Sequence, residues 1–240
     1  MGNGCLCCSI KEFHDLTDNE KEKIIKELEI EDQNLEYDDQ NIPYDPQNIT
    51  YQKNIDEWIQ KLPCNKDDKD LQRRITLFKN FTKNEKRYIS YKRLQISIVN
   101  YLELPNTIRD STDANPIRLA GNAAMQKYIR NNKIDSVLEW REFRIFLYYL
   151  KQYFTYMKIF QIKNKPEEHR INLKEFIIAL PQMNEFGVKL KETEAEVQYN
   201  KIKLGSDYIT FGDFCSYIIQ KSIDLEDDKD WVENEIDKFE

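Results

Sequence analysis

Apolar residues recur three or four positions apart along much of the chain, as they do in amphipathic helices. The spacing predicts helices over 55–62, 71–81, 94–102 and 143–160, and the last is long enough for one continuous helix between two loops. Residues 10–50 are polar, and we expect them to form a linker with one short helix near 21–28 that stays outside the core. The pattern predicts an all-α protein.

A shorter pattern lies between the predicted helices: an aliphatic residue, three further residues, a carboxylate and then Phe. It occurs at 138–143, 171–176 and 209–214, and a fourth copy at 89–93 ends in Arg. This is the second half of an EF-hand calcium loop, in which position 8 bridges to a partner hand and position 12 grips the ion. We therefore predict four EF-hand-like helix-loop-helix units in two pairs, bridged at Ile89/Leu138 and Ile171/Ile209, with a flexible acylated N-terminus.

Four segments follow from this arrangement. We expect a lipidated N-terminus and polar linker at 1–51, a first hand pair at 52–155, a second pair at 156–223 and an acidic tail at 224–240. The tail carries nine carboxylates and two lysines, a balance of −7 that equals the net charge of the whole chain. This acidity disfavours a nucleic-acid partner. The tail either docks a helix that carries Trp231, Ile236 and Phe239 or stays solvated.

Two of the four loops have lost the chemistry of a calcium site. Calcium loops supply oxygens from positions 1, 3, 5, 7, 9 and 12. Loop one, 82–93, has no carboxylate ligand and carries Lys86 and Arg93, which repel a divalent cation. Loop four, 202–213, has Ile202 and Leu204 at positions 1 and 3 and only Asp213 as a carboxylate. We predict that neither loop binds calcium.

The other two loops retain more oxygen ligands. Loop two is the best candidate, with its ligands Asn131, Asp135, the Val137 carbonyl, Glu139 and Glu142. Lys133 offsets one of its charges, and Ser136 replaces the turn glycine. Loop three is weaker because Pro166 removes a ligand at position 3. Its remaining ligands are Asn164, Glu168, the Arg170 carbonyl, Asn172 and Glu175. We expect weak calcium binding at most and no other cofactor, and the alternative is that the hands pack helices without metal.

The N-terminal sequence favours attachment to a membrane by acyl chains. Removal of Met1 exposes Gly2 for myristoylation, and a second acyl chain is needed for stable anchoring. The cysteines that would carry it are Cys5, Cys7 and Cys8. Leu6 departs from the usual signal, and the alternatives are an unmodified tail and a metal site that includes His14. The chain has no secretory signal and an odd number of cysteines, which indicates a reducing cytosolic compartment.

Several segments resemble the flagellar calcium-binding proteins, also called calflagins. The similar segments are 71–85, 142–154, 170–176, 185–189 and 222–228, and the resemblance covers about residues 52–228. It implies dual acylation, attachment to the inner face of a ciliary or flagellar membrane, and calcium-modulated association. It also implies calcium ligands in hands three and four, at Asn164, Glu168, Asn172, Glu175, Ser206, Thr210 and Asp213. The chain departs from the family at Pro166, Ile202 and Leu204.

Two functions are consistent with these features. The first is a calcium-binding protein anchored to the ciliary membrane, in which calcium opens a helix pair. The second is a calcium-independent structural adaptor of the cilium or axoneme that binds a partner protein or helix. An enzyme is disfavoured, because the two histidines lie far apart and the sequence has no glycine-rich phosphate loop.

Overall fold

The structure is a computed structural model, and it describes most of the helical part of the chain. The described residues are 16–33, 35, 49–82, 87–105, 115–128, 137–161, 170–185, 190–203 and 205–220. The predicted acylation sites, most of the loop residues before position 7 in loops two and three, and the acidic tail lie outside these ranges.

The described elements are helices joined by very short strands, which confirms the all-α EF-hand fold. The helices are α1 (Asp18–Asp32), α2 (Ile49–Lys61), α3 (Asp68–Phe81), α4 (Tyr91–Leu102), α5 (Pro116–Tyr128), α6 (Trp140–Gln161), α7 (Leu173–Glu185), α8 (Ala195–Ile202) and α9 (Phe211–Gln220). The strands are β1 (Ile89–Ser90), β2 (Val137–Leu138), β3 (Arg170–Ile171) and β4 (Ile209–Thr210). A single 3₁₀ turn, Glu192–Glu194, precedes α8.

Local sequence signals set several helix ends. Asp67 caps α3 by accepting a hydrogen bond from the backbone N–H of Asp70 at 2.8 Å. Pro63 follows the end of α2, where a proline does not continue the helix. Glu103 ends α4 in the left-handed conformation, with φ of 55°.

Two antiparallel bridges join the hands in pairs, with the register that the sequence predicts. Ile89 pairs with Leu138 between β1 and β2, and Ile171 pairs with Ile209 between β3 and β4. All four aliphatic side chains are buried in the core. Successive strand residues point to opposite faces, so the residue beside each buried aliphatic lies on the outer face of its bridge. The outer residues are Ser90 and Val137 in the first bridge and Arg170 and Thr210 in the second.

Helix α6 belongs to both hand pairs. Near its start, Phe143 packs against Phe78 of α3, with ring centroids 5.1 Å apart. Near its end, Phe160 packs against Phe211 and Phe214 of α9 at 5.4 and 5.5 Å. The long helix predicted from the sequence is confirmed. Because the expected boundary between 155 and 156 falls inside it, both pairs share one continuous apolar core.

A close approach of two helices explains one glycine of the first pair. A Cβ atom at Gly121 of α5 would lie 2.2 Å from the ring of Tyr91, the first residue of α4. The Tyr91 hydroxyl donates to the backbone carbonyl of Arg118 at 3.1 Å. A residue larger than glycine at this point would have to displace the tyrosine ring.

The expectation for residues 10–50 was wrong in one respect. The short helix near 21–28 is part of α1, which has fifteen residues and begins with a reciprocal capping box between Thr17 and Glu20. Leu28 and Asp32 are buried against the first hand pair. The sequence pattern underestimated α1 because most of its residues are charged, and its contacts are made by a few side chains only.

Candidate calcium-binding loops

The position-12 carboxylates of three loops cap the exit helices, and in loops three and four the position-9 side chain caps them as well. In loop two, the backbone N–H of Glu139 donates to the Glu142 carboxylate at 2.9 Å. In loop three, the backbone N–H of Asn172 donates to the Glu175 carboxylate at 2.9 Å, and the backbone N–H of Glu175 donates to the Asn172 side-chain oxygen at 3.0 Å. In loop four, the Thr210 hydroxyl donates to Asp213 at 2.7 Å and accepts from its backbone N–H at 3.1 Å. Each position-12 carboxylate is thus held at a helix N-terminus.

Loops two and three keep part of a calcium donor set. The described candidates of loop two are Val137, Glu139 and Glu142, and those of loop three are Arg170, Asn172 and Glu175. The other predicted ligands, namely Asn131, Asp135, Asn164 and Glu168, lie outside the described residues. Carboxylate, amide and carbonyl oxygens are the ligands that calcium prefers, so these positions fit the ion as far as they are described. No described group of three or more acidic, histidine or cysteine residues forms a complete metal site.

Loop four is closed by hydrogen bonds among its own groups. Ile202, at position 1, is 2% exposed and belongs to the apolar core, so its side chain points away from an ion. The Ser206 hydroxyl donates to the backbone carbonyls of Lys203, at 2.9 Å, and of Tyr208, which is the position-7 carbonyl. The Tyr199 hydroxyl donates to the carbonyl of Asp207 at 2.8 Å. These contacts support the prediction that loop four does not bind calcium. Leu204 lies outside the described residues.

The outer face of the second bridge is covered by a residue of loop four itself. The Arg170 guanidinium lies over the ring of Tyr208, 4.4 Å from its centroid, which is cation–π geometry. Gly205 supplies the left-handed backbone, with φ of 92°, that the turn needs. Loop four is therefore held in shape by side chains in place of an ion.

In loop one, the residues at ligand positions contact other protein groups, including a carboxylate from α1. Thr82, at position 1, is buried, and its hydroxyl donates to the Phe78 carbonyl at 2.9 Å, which caps the end of α3. At position 12, the Arg93 Nε donates to Asp32 Oδ1 at 2.8 Å. The Ser90 hydroxyl, at position 9, donates to the other carboxylate oxygen of Asp32. A cation stands where the loop normally has a carboxylate, and a carboxylate from α1 is bound to it.

The contact with Asp32 is the feature that the sequence analysis missed. Arg93 was identified as a group that repels a divalent ion, but its partner lies 61 residues earlier in the chain. Two signals pointed to it: the Thr17–Glu20 capping box, which predicts a real helix start, and the acidic pair Glu31–Asp32 at the helix end. Neither signal identifies the contact without the three-dimensional arrangement.

The two described cysteines are structural. The Cys64 thiol lies 3.4 Å from the Leu147 carbonyl, to which it donates, and burial raises its pKa to about 12. Cys215 is fully buried, which raises its pKa well above the ordinary value. Both thiols therefore stay protonated at neutral pH and are poor nucleophiles.

The predicted lipidation sites Gly2, Cys5, Cys7 and Cys8 lie outside the described residues. None of the described helices has the length and apolar composition needed to span a bilayer.

Comparison with known proteins places this geometry in a family. Residues 58–150 match the family model described as the FCaBP EF-hand domain. The chain is 27% identical over 174 residues to flagellar calcium-binding protein TB-17 of Trypanosoma brucei brucei, covering 72% of this chain and 74% of that protein. It is 26% identical to TB-24 of the same organism, covering 72% and 79%. It is 25% identical to the flagellar calcium-binding protein of Trypanosoma cruzi, covering 72% and 82%.

The resemblance found in the sequence is therefore confirmed by matches to flagellar calcium-binding proteins over about 72% of the chain. The family is one of calcium-binding EF-hand proteins and not of enzymes. The chain is a relative of the flagellar calcium-binding proteins and carries their EF-hand domain at residues 58–150.

Proposed function

We propose that this protein is a membrane-anchored EF-hand protein of the cilium or flagellum that binds calcium weakly, at loop two. Acyl chains on Gly2 and on Cys5, Cys7 and Cys8 hold it at the cytosolic face of the membrane. The names of its relatives, which are flagellar calcium-binding proteins, support the location and the ion. The N-terminal sequence supports the acylation.

The observation that carries the proposal is the difference between the loops. In loop one the position-12 residue, Arg93, is bound to Asp32, and in loop four the position-7 carbonyl accepts from Ser206. Loops two and three keep a glutamate at position 12 and an oxygen-bearing side chain at position 9. Loop two has three carboxylates at ligand positions, against two in loop three, and no proline at a ligand position. It is therefore the loop in which calcium has the most ligands to gain.

Loop two is also placed to affect the helices around it. Glu142 caps the start of α6, and Trp140, two residues earlier, packs on Phe78 of α3 with ring centroids 5.4 Å apart. Glu142 would be one of the residues that hold calcium, and the ion would supply a positive charge that competes with the Glu139 backbone N–H for its carboxylate. A change in how Glu142 holds α6 is transmitted to the contact between α6 and α3.

Trp140 lies at position 10 of loop two and reports on calcium directly. The chain has two other tryptophans, so the titration uses a Trp58→Phe/Trp231→Phe background, in which Trp140 is the only emitter. We expect a saturating change in emission at micromolar to millimolar calcium that Glu142→Gln abolishes. Glu175→Gln, the equivalent change in loop three, should leave this signal in place. A flat titration would contradict the proposal that loop two binds calcium.

A calcium-independent adaptor is the second candidate function. It is favoured by loop four, where Ile202 is buried and the loop is closed without an ion. In this case the hand pairs are a fixed scaffold, and the protein binds a partner protein or helix on the ciliary side of the membrane. A flat Trp140 titration with retained membrane attachment is the result expected for this function.

Membrane attachment is tested independently of calcium. Gly2→Ala removes the myristoylation site, and we expect it to move the protein from the membrane fraction to the soluble fraction of expressing cells. Gly4→Ala makes the same chemical change two residues later and should leave the distribution as in the wild type. An unchanged distribution of Gly2→Ala would contradict acyl anchoring.

A further inference from the structure

The C-terminal end of α1 has the wrong charges for a free helix. Its last turn contains Glu31 and Asp32 and no basic residue. Carboxylates near a helix C-terminus oppose the helix dipole, and a helix of fifteen residues is marginal in water even when its charges are favourable. The helix therefore depends on cations from elsewhere in the chain.

The first hand supplies those cations at the start of α4. The ion pair between Asp32 and Arg93 is almost completely buried, with side chains 6% and 3% exposed. Lys92 adds a hydrogen bond from its Nζ to the Asp32 backbone carbonyl at 2.9 Å, and Ser90 binds the second carboxylate oxygen. The residues that bind Asp32 are positions 9, 11 and 12 of loop one, so an EF-hand ion site has become a carboxylate site.

The apolar contact of α1 is small and separate from the main core. Leu28 packs with Val137 on the outer face of the first bridge. The partly buried residues around them are Leu16, Ile24, Ile25 and Tyr88. Because this cluster is not continuous with the core of the hands, α1 can leave without opening that core.

We propose that the end of loop one (Ser90–Arg93) and the outer face of the first bridge form a docking site for an acidic amphipathic helix. Helix α1 occupies this site and can detach from it. The site recognises a carboxylate through Arg93 and Ser90, and an apolar residue one helical turn earlier through Val137. Charge complementarity supports α1 as the occupant, since α1 has seven carboxylates and three lysines. The proposal depends on neither calcium binding nor acylation.

The first test measures docking of α1 in the full-length chain by amide hydrogen exchange. Asp32→Asn removes the closer and more deeply buried of the two carboxylates that pair with Arg93, leaving Glu31, whose Oε2 lies 3.6 Å from Arg93 Nη2. We expect exchange in α1 to accelerate by about 100-fold. Glu29→Gln removes the same charge from an exposed position of α1 and should leave exchange unchanged. Exchange in α6 should be unaffected in both variants, which separates local detachment from loss of the fold. Unchanged α1 protection in Asp32→Asn would overturn the proposal.

The second test asks whether the vacated site binds the helix in trans. The full-length Asp32→Lys variant places a cation against Arg93 and expels α1, and the probe is a labelled peptide of residues 16–33. We expect this variant to bind the peptide at least about tenfold more tightly than the wild-type chain, where tethered α1 competes at high effective concentration.

The peptide sequence tests the chemistry of recognition. A peptide with Asp32→Asn should bind the Asp32→Lys chain about 100-fold more weakly than the unmodified peptide, and one with Glu29→Gln should bind as well as the unmodified peptide. Equal binding of all three peptides would show that the acidic charge of α1 has no specific recognition site. No binding of the unmodified peptide would show that the first hand is not a docking site. Either result overturns the proposal.

Discussion

The two β-bridges have the same core face and different outer faces. In both, a pair of aliphatic residues points into the core, and the residues paired beside them point outward. The outer face of the first bridge, Ser90 and Val137, is covered by α1. On the outer face of the second bridge, Arg170 lies over Tyr208 of the adjacent loop. One bridge is completed by a distant segment, and the other by its own neighbours.

The difference shows two ways in which protein groups support a loop. Loop four forms hydrogen bonds within a few residues of sequence and contacts its bridge partner, loop three, so its described contacts stay within its own hand pair. Loop one uses a carboxylate from α1, so its structure is linked to the N-terminal part of the chain. Loop four is thus self-contained within its hand pair, whereas loop one depends on a segment outside its pair.

The largest effect on stability is expected from placing a carboxylate at position 1 of loop four. Ile202→Asp supplies the missing position-1 ligand in sequence, but the side chain lies in the core. We expect the free energy of unfolding to fall by about 4 kcal/mol or more, because apolar contacts are lost and a charge is buried without a partner. Denaturant unfolding by circular dichroism measures this change.

Val197→Asp is the matched control for that substitution. Val197 lies on the same helix, α8, but is 56% exposed, so the same kind of change should alter the unfolding free energy by no more than about 0.5 kcal/mol. If Ile202→Asp were well tolerated and conferred calcium binding, loop four would be a repairable ion site. That result would contradict its description as a loop closed on itself.

Tyr199 tests the self-contained closure at a smaller scale. Its hydroxyl donates to the carbonyls of Asp207, at 2.8 Å, and of Ile171, at 3.4 Å. Tyr199→Phe should lower the free energy of unfolding by about 1–2 kcal/mol because two carbonyls lose a donor. Tyr217→Phe, which removes a hydroxyl that donates to the Gln198 side chain and not to a backbone carbonyl of the loop, should have a smaller effect.

The same residue predicts a dependence on alkaline pH. Burial, with Asp207 and Glu175 nearby, raises the pKa of Tyr199 above its ordinary value. The stabilisation is complete below the ordinary tyrosine pKa of about 10 and is lost as the pH rises through the folded-state value. Tyr199→Phe should therefore show a shallower loss of stability above pH 10 than the wild type. An identical slope in both proteins would contradict the assignment.

The extent to which the sequence predicts this structure depends on the range of the interactions. The aliphatic–carboxylate–Phe pattern is local, and it correctly predicted both bridges and their partners, Ile89 with Leu138 and Ile171 with Ile209. The burial of Ile202 also follows from local pattern, because the residue continues the apolar face of α8. The contact of Asp32 with Arg93 joins segments with no shared periodicity, so only the fold brings them together.

Position 9 allows the smallest and most direct comparison of the two hands. Ser90 in loop one and Thr210 in loop four both cap their exit helices, accepting from the backbone N–H of Arg93 at 3.0 Å and of Asp213 at 3.1 Å. Each Ala substitution should lower the unfolding free energy by about 1 kcal/mol through loss of the cap. Only Ser90→Ala should also speed hydrogen exchange in α1, because only Ser90 donates to Asp32. If Thr210→Ala loosened α1 to the same degree, the two hands would be coupled, and the separation between a linked loop and a self-contained loop would not hold.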